Sequence, residues 1–322
     1  MAATAPVFLQ PLEDAPMNQT SVVLRYAAFT TTPDGGNPAG VVLDATHLDD
    51  AQMQVFAADV GYAETVFVTE AAVGGDARRN RVRYFSPIAE VPFCGHATIA
   101  LAVALSRLHG TGTFMFDTSV GPVAIESAGQ GAALTASFTS VEPRVAEFPA
   151  GVLDTLLGLL GMGRDELHGA YPPMVAFAGN WHPVLVFADQ RSFDSFVFDP
   201  DRMRVLMDAQ GWAGTVTTLC KVGAAEFDSR NLFPVGTITE DPATGSAAAA
   251  FGGYLRLLSL VEPPSRVVVL QGSHVGRPSR LTVEIPPLGG IIVRGEAVEI
   301  RSWTDRSSTV PCPDSERVAG MA

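Results

Sequence analysis

The sequence predicts an α/β protein in the α+β sense: two pseudo-symmetric domains, each a curled mixed sheet around one central helix. Three observations carry this expectation. Strand-like and helix-like patterns alternate along most of the 322 residues, a length that exceeds one ordinary domain and suits two. The stretches EVPFCGHAT (90–98) and EDPATGSA (240–247) each turn on proline and glycine and then enter an alanine-rich run. Around both turns the order is the same (strands, a glycine turn, one small-residue helix, further strands), as an internal duplication would leave it.

The elements follow in order. Residues 21–29 and 39–43 read as strands flanking the turn TTPDGGNP. Residues 48–60 carry apolar residues at helical intervals behind two aspartates, which suit a helix start. Strands are predicted at 65–68 and 81–85, then the first quoted turn and a helix over 97–108. A strand pair at 113–117 and 122–127 closes a first domain, 21–141. The second domain, 142–297, opens with a helix at 151–160 and strands at 174–178 and 183–187. A helix at 202–210 and strands at 215–221 and 226–232 come next. The second quoted turn enters a helix over 246–260, and strands follow at 266–271, 280–285, 290–293 and 298–302. Alanine and glycine cover nearly all faces of the two helices behind the turns, so each is expected to be buried with sheet packed closely around it. Residues 1–20 and 304–322 are polar, proline-bearing and aperiodic, and are expected as loosely ordered extensions.

With 47% hydrophobic and 17% charged residues, a large core is within reach and global disorder is excluded. A net charge of −13 argues against nucleic acid or an anionic membrane as partner, since both need a basic surface. No run of about 18 apolar residues occurs, and the first residues lack a basic n-region, so neither a span nor a signal peptide is expected. Cys94, Cys220 and Cys312 are an odd, scattered set that fits a reducing, cytoplasmic interior. Neither they nor the six histidines fall at metal-ligand intervals, and no metal is expected.

Chemistry is expected at the two turns. A helix start presents unpaired backbone N–H groups and partial positive charge, and glycine lets a ligand approach them. Gly95 on one side and Thr244, Gly245 and Ser246 on the other therefore suit a carboxylate, or else the glycines only cap turns. Glu64 precedes an apolar strand, where desolvation would raise its pKa toward neutrality; the plain alternative is an exposed carboxylate. His96 either holds a carboxylate or moves a proton, or it bonds to backbone. Asp241 and Ser246 have turn and capping roles as alternatives. Cys94, beside a helix start, is expected to have a lowered pKa, or to serve as a small buried filler.

Taken together, GNPAGVV (36–42), YAETVFV (62–68), FSPIAEVPFCGHAT (85–98), DPATGSAAA (241–249) and QGSHVGRPS (271–279) resemble the PhzF family, phenazine-biosynthesis-type isomerases of the diaminopimelate epimerase superfamily. The match runs in order from about Ser21 to Ser302. It implies a diaminopimelate epimerase-like fold, with the site between the domains and residues 298–303 returning to the first. A homodimer is implied, and so is cofactor-independent isomerisation of a small carboxylate such as trans-2,3-dihydro-3-hydroxyanthranilate. Glu64 would carry the proton, with His96, Asp241 and Ser246 holding the substrate and assisting. Gly95, Gly245, Thr244 and Cys94 would complete the binding site. Racemases of the superfamily use two opposed cysteines, one ahead of each helix. Only Cys94 stands in such a place here, because the second turn reads DPATG. The rivals are a racemase or epimerase using Cys94 with a non-thiol partner, and a catalytically silent binding protein on the same scaffold.

Overall fold

A computed structural model describes residues 22–235 and 238–300. The extensions expected at 1–20 and 304–322 lie outside the described residues, as does Cys312. β1 (Val23–Ala28) and β2 (Asn37–Val42) come first, then α1 (Asp50–Val60), which Asp49 and Gln52 close with reciprocal side-chain-to-backbone bonds. β3 (Glu64–Glu70), β4 (Arg79–Phe85) and the short β5 (Glu90–Val91) lead into α2 (Gly95–His109). β6 (Gly112–Thr118), β7 (Gly121–Ala128) and β8 (Thr135–Thr139) follow.

The second half comprises β9 (Arg144–Ala146), α3 (Val152–Leu159), β10 (Met174–Phe177), β11 (Trp181–Phe187) and α4 (Gln190–Ser195). It continues with α5 (Pro200–Gln210), β12 (Val216–Lys221), β13 (Glu226–Val235), β14 (Ile238–Asp241) and α6 (Gly245–Leu257). β15 (Ser265–Gln271), β16 (Ser279–Ile285) and β17 (Ile292–Glu299) complete it.

The duplication is visible in the pairing. Along β1-β2-β3-β4-β6-β7-β8 neighbours pair antiparallel, parallel, antiparallel, parallel, antiparallel, antiparallel. The same series runs along β10-β11-β12-β13-β15-β16-β17. At the seam each half lends strand to the other. β17 starts against β16 and β8, then ends against β1, where Ala27 faces Val298, and so closes the first sheet into a barrel. In return, the chain leaves β8 and pairs through β9 with β10.

Each half wraps its small-residue helix. α2 is buried from His96 to Ser106 without a break, and α6 is buried from Ala247 to Leu255. Such helices need residues that let strands approach from all sides, which explains the alanine runs. At Gly252 even one methyl would stand 2.7 Å from side-chain carbons of both Val283 and Ile291. The core around α2 and α6 is continuous across the halves, and α3, α4 and α5 cover a separate apolar cluster on the second half.

Several expectations need correction. The strands expected at 290–293 and 298–302 are one strand, β17. Its interior glycine, Gly295, is required by packing, since a Cβ there would lie 2.3 Å from the Phe29 ring. β5, β8, β9, β14 and α4 have no counterpart among the expected elements. The helices behind the turns begin earlier than expected, at Gly95 and Gly245, so both glycines belong to first turns.

Candidate active site

The two helix entrances meet. Cys94 and Thr244 are the N-cap residues of α2 and α6, both with extended backbone. A Cβ added to Gly95 would stand 3.7 Å from the Gly245 Cα, and the Phe138 ring packs against both glycines. Beside this junction lies a cavity of about 320 Å³ lined by Glu64, Cys94, Gly95, His96, Asp241, Thr244, Gly245 and Ser246. All eight residues singled out in the sequence thus share one cavity.

Glu64 opens β3, paired in parallel with Ala39 of β2, and its side chain is 18% exposed. Its carboxyl lies 3.5 Å from His96 Nε2 and accepts from the Cys94 thiol at 3.6 Å. Burial, then the charge of Asp241, pushes its pKa up to about 7, against which the thiol bond pulls only weakly. The carboxyl can therefore change protonation state near neutral pH. Asp241, at the end of β14, is pushed by burial up to about 6, although hydrogen bonds from Thr244 and Asn37 oppose this.

Burial separates the alternatives left open for Cys94 and His96. Cys94 is held well above the ordinary thiol pKa, first by burial and then by the Glu64 charge, so the helix start does not make it a thiolate. Burial pushes His96 down to about 3, against a bond to the Pro38 carbonyl. The imidazole is neutral at working pH and offers hydrogen bonds rather than a transferable charge.

The supporting residues come from motifs whose purpose is hidden in one dimension. Asn37 Nδ2 donates to Asp241 Oδ1 at 2.7 Å and to the Ala243 carbonyl at 3.0 Å, tying β2 to the far half. Both of those partners are acceptors, which fixes the orientation of the amide. Gln271 accepts from the Thr244 backbone N–H at 3.1 Å and donates to Thr244 Oγ1 at 3.0 Å and to the Asp241 carbonyl at 2.6 Å. Arg277 donates to the Gly36 carbonyl at 2.7 Å, and also to that of Gly35. The first and last quoted motifs thereby hold the fourth in place.

His182 was missed altogether. It is fully buried on β11, lines the cavity, and its Nε2 lies 3.1 Å from Ser246 Oγ. Its Nδ1 sits 3.0–3.1 Å from backbone and hydroxyl atoms of Thr215, and burial pushes its pKa down to about 4. A signal existed: Asn37-Pro38 and His182-Pro183 are polar-proline pairs near the start of β2 and β11, which hold the same place in the two sheets.

Cys94 and Thr244 also occupy equivalent places in the duplication. The second place is taken by a threonine, whose hydroxyl is engaged with Asp241 and Gln271. Among the described residues, no lysine or arginine lines the cavity, and the two helix starts direct partial positive charge toward it. Among the described residues, no helix is long and apolar enough to cross a membrane.

Comparison with known proteins gives a consistent result. Residues 26–302 match the family model described as phenazine biosynthesis-like protein, PhzC-PhzF. The chain is 32% identical over 300 residues to an uncharacterized isomerase of Mesorhizobium japonicum, covering 88% of this chain and 97% of that protein. It is 32% identical over 255 residues to the trans-2,3-dihydro-3-hydroxyanthranilate isomerase of Pseudomonas fluorescens, covering 78% and 86% respectively. The solved structure of a predicted epimerase from Pseudomonas aeruginosa superposes with a TM-score of 0.76 at 27% identity, covering 88% of this chain and 98% of that one.

Proposed function

The chain belongs to the PhzC-PhzF family of phenazine biosynthesis-like proteins, and from that premise we propose that this isomerase moves a proton within a small, amino-acid-like carboxylate without a cofactor. The substrate named for the Pseudomonas fluorescens relative, trans-2,3-dihydro-3-hydroxyanthranilate, is the first to test. The observation that carries the proposal is Glu64, a carboxyl inside the cavity whose pKa is raised to about 7. Both of its protonation states are accessible near neutral pH, as proton removal and return require, and unlike Asp241, whose carboxyl is engaged by Thr244 and Asn37, it carries no such pair of hydrogen bonds.

The cycle follows from the placement. The substrate carboxylate sits at the starts of α2 and α6, where Gly95 and Gly245 leave the backbone N–H groups open to it. Ionised Glu64 takes a proton from an activated carbon, and charge developing on the substrate is stabilised by those N–H groups. The carboxylic acid so formed returns the proton to a second carbon on the same face. Neutral His96 and the Ser246 hydroxyl, itself held by His182, orient the substrate by hydrogen bonds. Asp241, among the acceptors in the cavity, suits the amino group of such a substrate.

Racemisation by two thiols is disfavoured by two observations: Cys94 is protonated, and Thr244 stands where the second thiol would be needed. The deciding experiment is conversion in D₂O. The proposal expects product from trans-2,3-dihydro-3-hydroxyanthranilate, with the newly formed C–H carrying the substrate's own transferred hydrogen, or deuterium to the extent that the Glu64 acid exchanges with solvent before returning it. Exchange of the α-hydrogen of a free amino acid such as proline, abolished by Cys94→Ala, would instead establish the racemase. Binding of the candidate with neither conversion nor exchange would establish the silent scaffold.

A further inference from the structure

Glu64 and Asp241 are two carboxyls of one cavity, and the charge of the second acts on the first. Such a pair does not ionise with equal ease, and the donors each carboxyl meets decide between them. Glu64 accepts from the Cys94 thiol at 3.6 Å. Asp241 accepts from the Thr244 hydroxyl and, at 2.7 Å, from Asn37 Nδ2. Asn37 is 1% exposed, and its Oδ1 has no hydrogen-bond partner among the described residues. A buried amide oxygen left unpaired costs stability. Turning the amide over is no remedy, because Nδ2 already serves two acceptors, Asp241 Oδ1 and the Ala243 carbonyl. The backbone that carries Asn37 is clasped from the second half: Arg277 donates to the carbonyls of Pro33, Gly35 and Gly36, and the Gly36 N–H donates to the Pro278 carbonyl at 3.0 Å. We propose that Asn37 is a positioning residue for the proton transfer: its amide, fixed across the two halves, orients Asp241 and keeps it the carboxylate of the pair, so that Glu64 is the partner left to carry the proton.

The surroundings leave the two carboxyls to themselves. Asp241 shares the cavity with Glu64 of β3, Cys94 and His96 of α2, and His182 of β11. Burial pushes both histidines down and the thiol up, so near neutral pH Glu64 and Asp241 are the groups among these that change charge. On its own side Asp241 meets the neutral side chains of Asn231 on β13 and Gln271 on β15, and Arg230 of β13 is taken up by Glu240 in a buried ion pair. Without the amide of Asn37, the Asp241 carboxylate loses a donor and holds its proton to higher pH. Glu64, relieved of a neighbouring negative charge, then releases its proton at lower pH. The two midpoints move in opposite directions. The catalytic meaning of this device rests on the function proposed above, whereas the titration itself needs no substrate.

The test follows both carboxyls by carbon-13 NMR in the full-length chain labelled at its aspartate and glutamate carboxyls, with Asp241→Asn and Glu64→Gln assigning the resonances. In the parent, Asp241 is expected to titrate before Glu64. In Asn37→Leu the Asp241 midpoint is expected to rise by about one pH unit while that of Glu64 falls. Arg277→Gln frees the turn but keeps the amide, and is expected to move both midpoints the same way by a smaller amount; it decides the matter alone if Asn37→Leu does not fold. Unmoved midpoints in a folded variant overturn the proposal. So does a rise of both together, which is the mark of lost solvent rather than a lost donor. With a substrate that the parent converts, the acid limb of kcat/KM in each variant is expected to follow Glu64 to lower pH, and a limb that stays in place overturns the part given to Asn37 in catalysis. Unmoved midpoints in an active enzyme would strike Asn37 and leave Glu64 its role, whereas failure of the isomerase would leave the shifted midpoints standing.

Discussion

Replacing Glu64 with glutamine is expected to remove a pH-dependent loss of stability from the fold. In the folded chain this carboxyl ionises near 7 rather than near 4.5, chiefly because burial and then the Asp241 charge disfavour the carboxylate. Between those values the folded protein holds a proton that the unfolded chain has released. The sign is therefore fixed: the group costs nothing at pH values below the unfolded pKa, and stability falls as pH rises, levelling off above the folded pKa. Worked through the linkage relation, the loss is about 1 kcal/mol at pH 5 and about 3 kcal/mol at pH 8. Asp241, raised to about 6, adds a loss of the same sign in parent and variant alike. The two carboxyls interact, so their titration steps belong partly to the pair. The quantity to measure is the difference between parent and Glu64→Gln, from urea unfolding at pH 5, 6, 7 and 8. That difference should widen in favour of the variant by about 2 kcal/mol across the range. Two curves that stay parallel would show that Glu64 is not desolvated as its position requires.

Three further outcomes follow from the same geometry. Below pH 7 kcat/KM should rise with pH toward a plateau as Glu64 ionises, and a flat profile from pH 5 to 8 would remove it as the base. His96 and His182, pushed down to about 3 and about 4, should show no titration between pH 5 and 8 in ring-proton NMR, and movement of either resonance near pH 6.5 would contradict their burial. Gly245→Ala brings a Cβ to 2.9 Å from the Phe138 ring, whereas Gly95→Ala brings one to 3.2 Å; the first should cost about 1–3 kcal/mol and the second less, in denaturant midpoints, and the reverse order would refute the packing at the helix junction.

What the sequence disclosed depended on how locally each feature is encoded. The buried helices are written in their own alanine and glycine content, and seven of the eight site residues, all but Glu64, lie in the short motifs at their starts. A raised carboxyl at Glu64 was one of two readings the neighbouring apolar strand allowed, and the burial and the Asp241 charge that decide between them are supplied by folding. For Cys94 and His96 the sequence left two readings each, because their protonation depends on neighbours that only folding supplies. Asn37 reaches Asp241 across 204 residues, and Gln271 reaches back to Thr244 across 27. No local pattern marks such bonds. β8 and β9 escaped notice for a related reason: each is short, and their partners, β17 and β10, lie in the other half of the duplication. Strands at 290–293 and 298–302 read as two from the sequence, although Gly295 between them makes room for Phe29 from a distant segment.

The most direct test measures trans-2,3-dihydro-3-hydroxyanthranilate turnover by Glu64→Gln beside the parent, with binding of the same compound measured in both proteins. A side chain of nearly equal shape that can neither take nor give the proton should lower kcat by about 10³-fold or more, with affinity held within about threefold because the helix starts still bind the carboxylate. Parent-like turnover in the glutamine variant would show that some other group carries the proton.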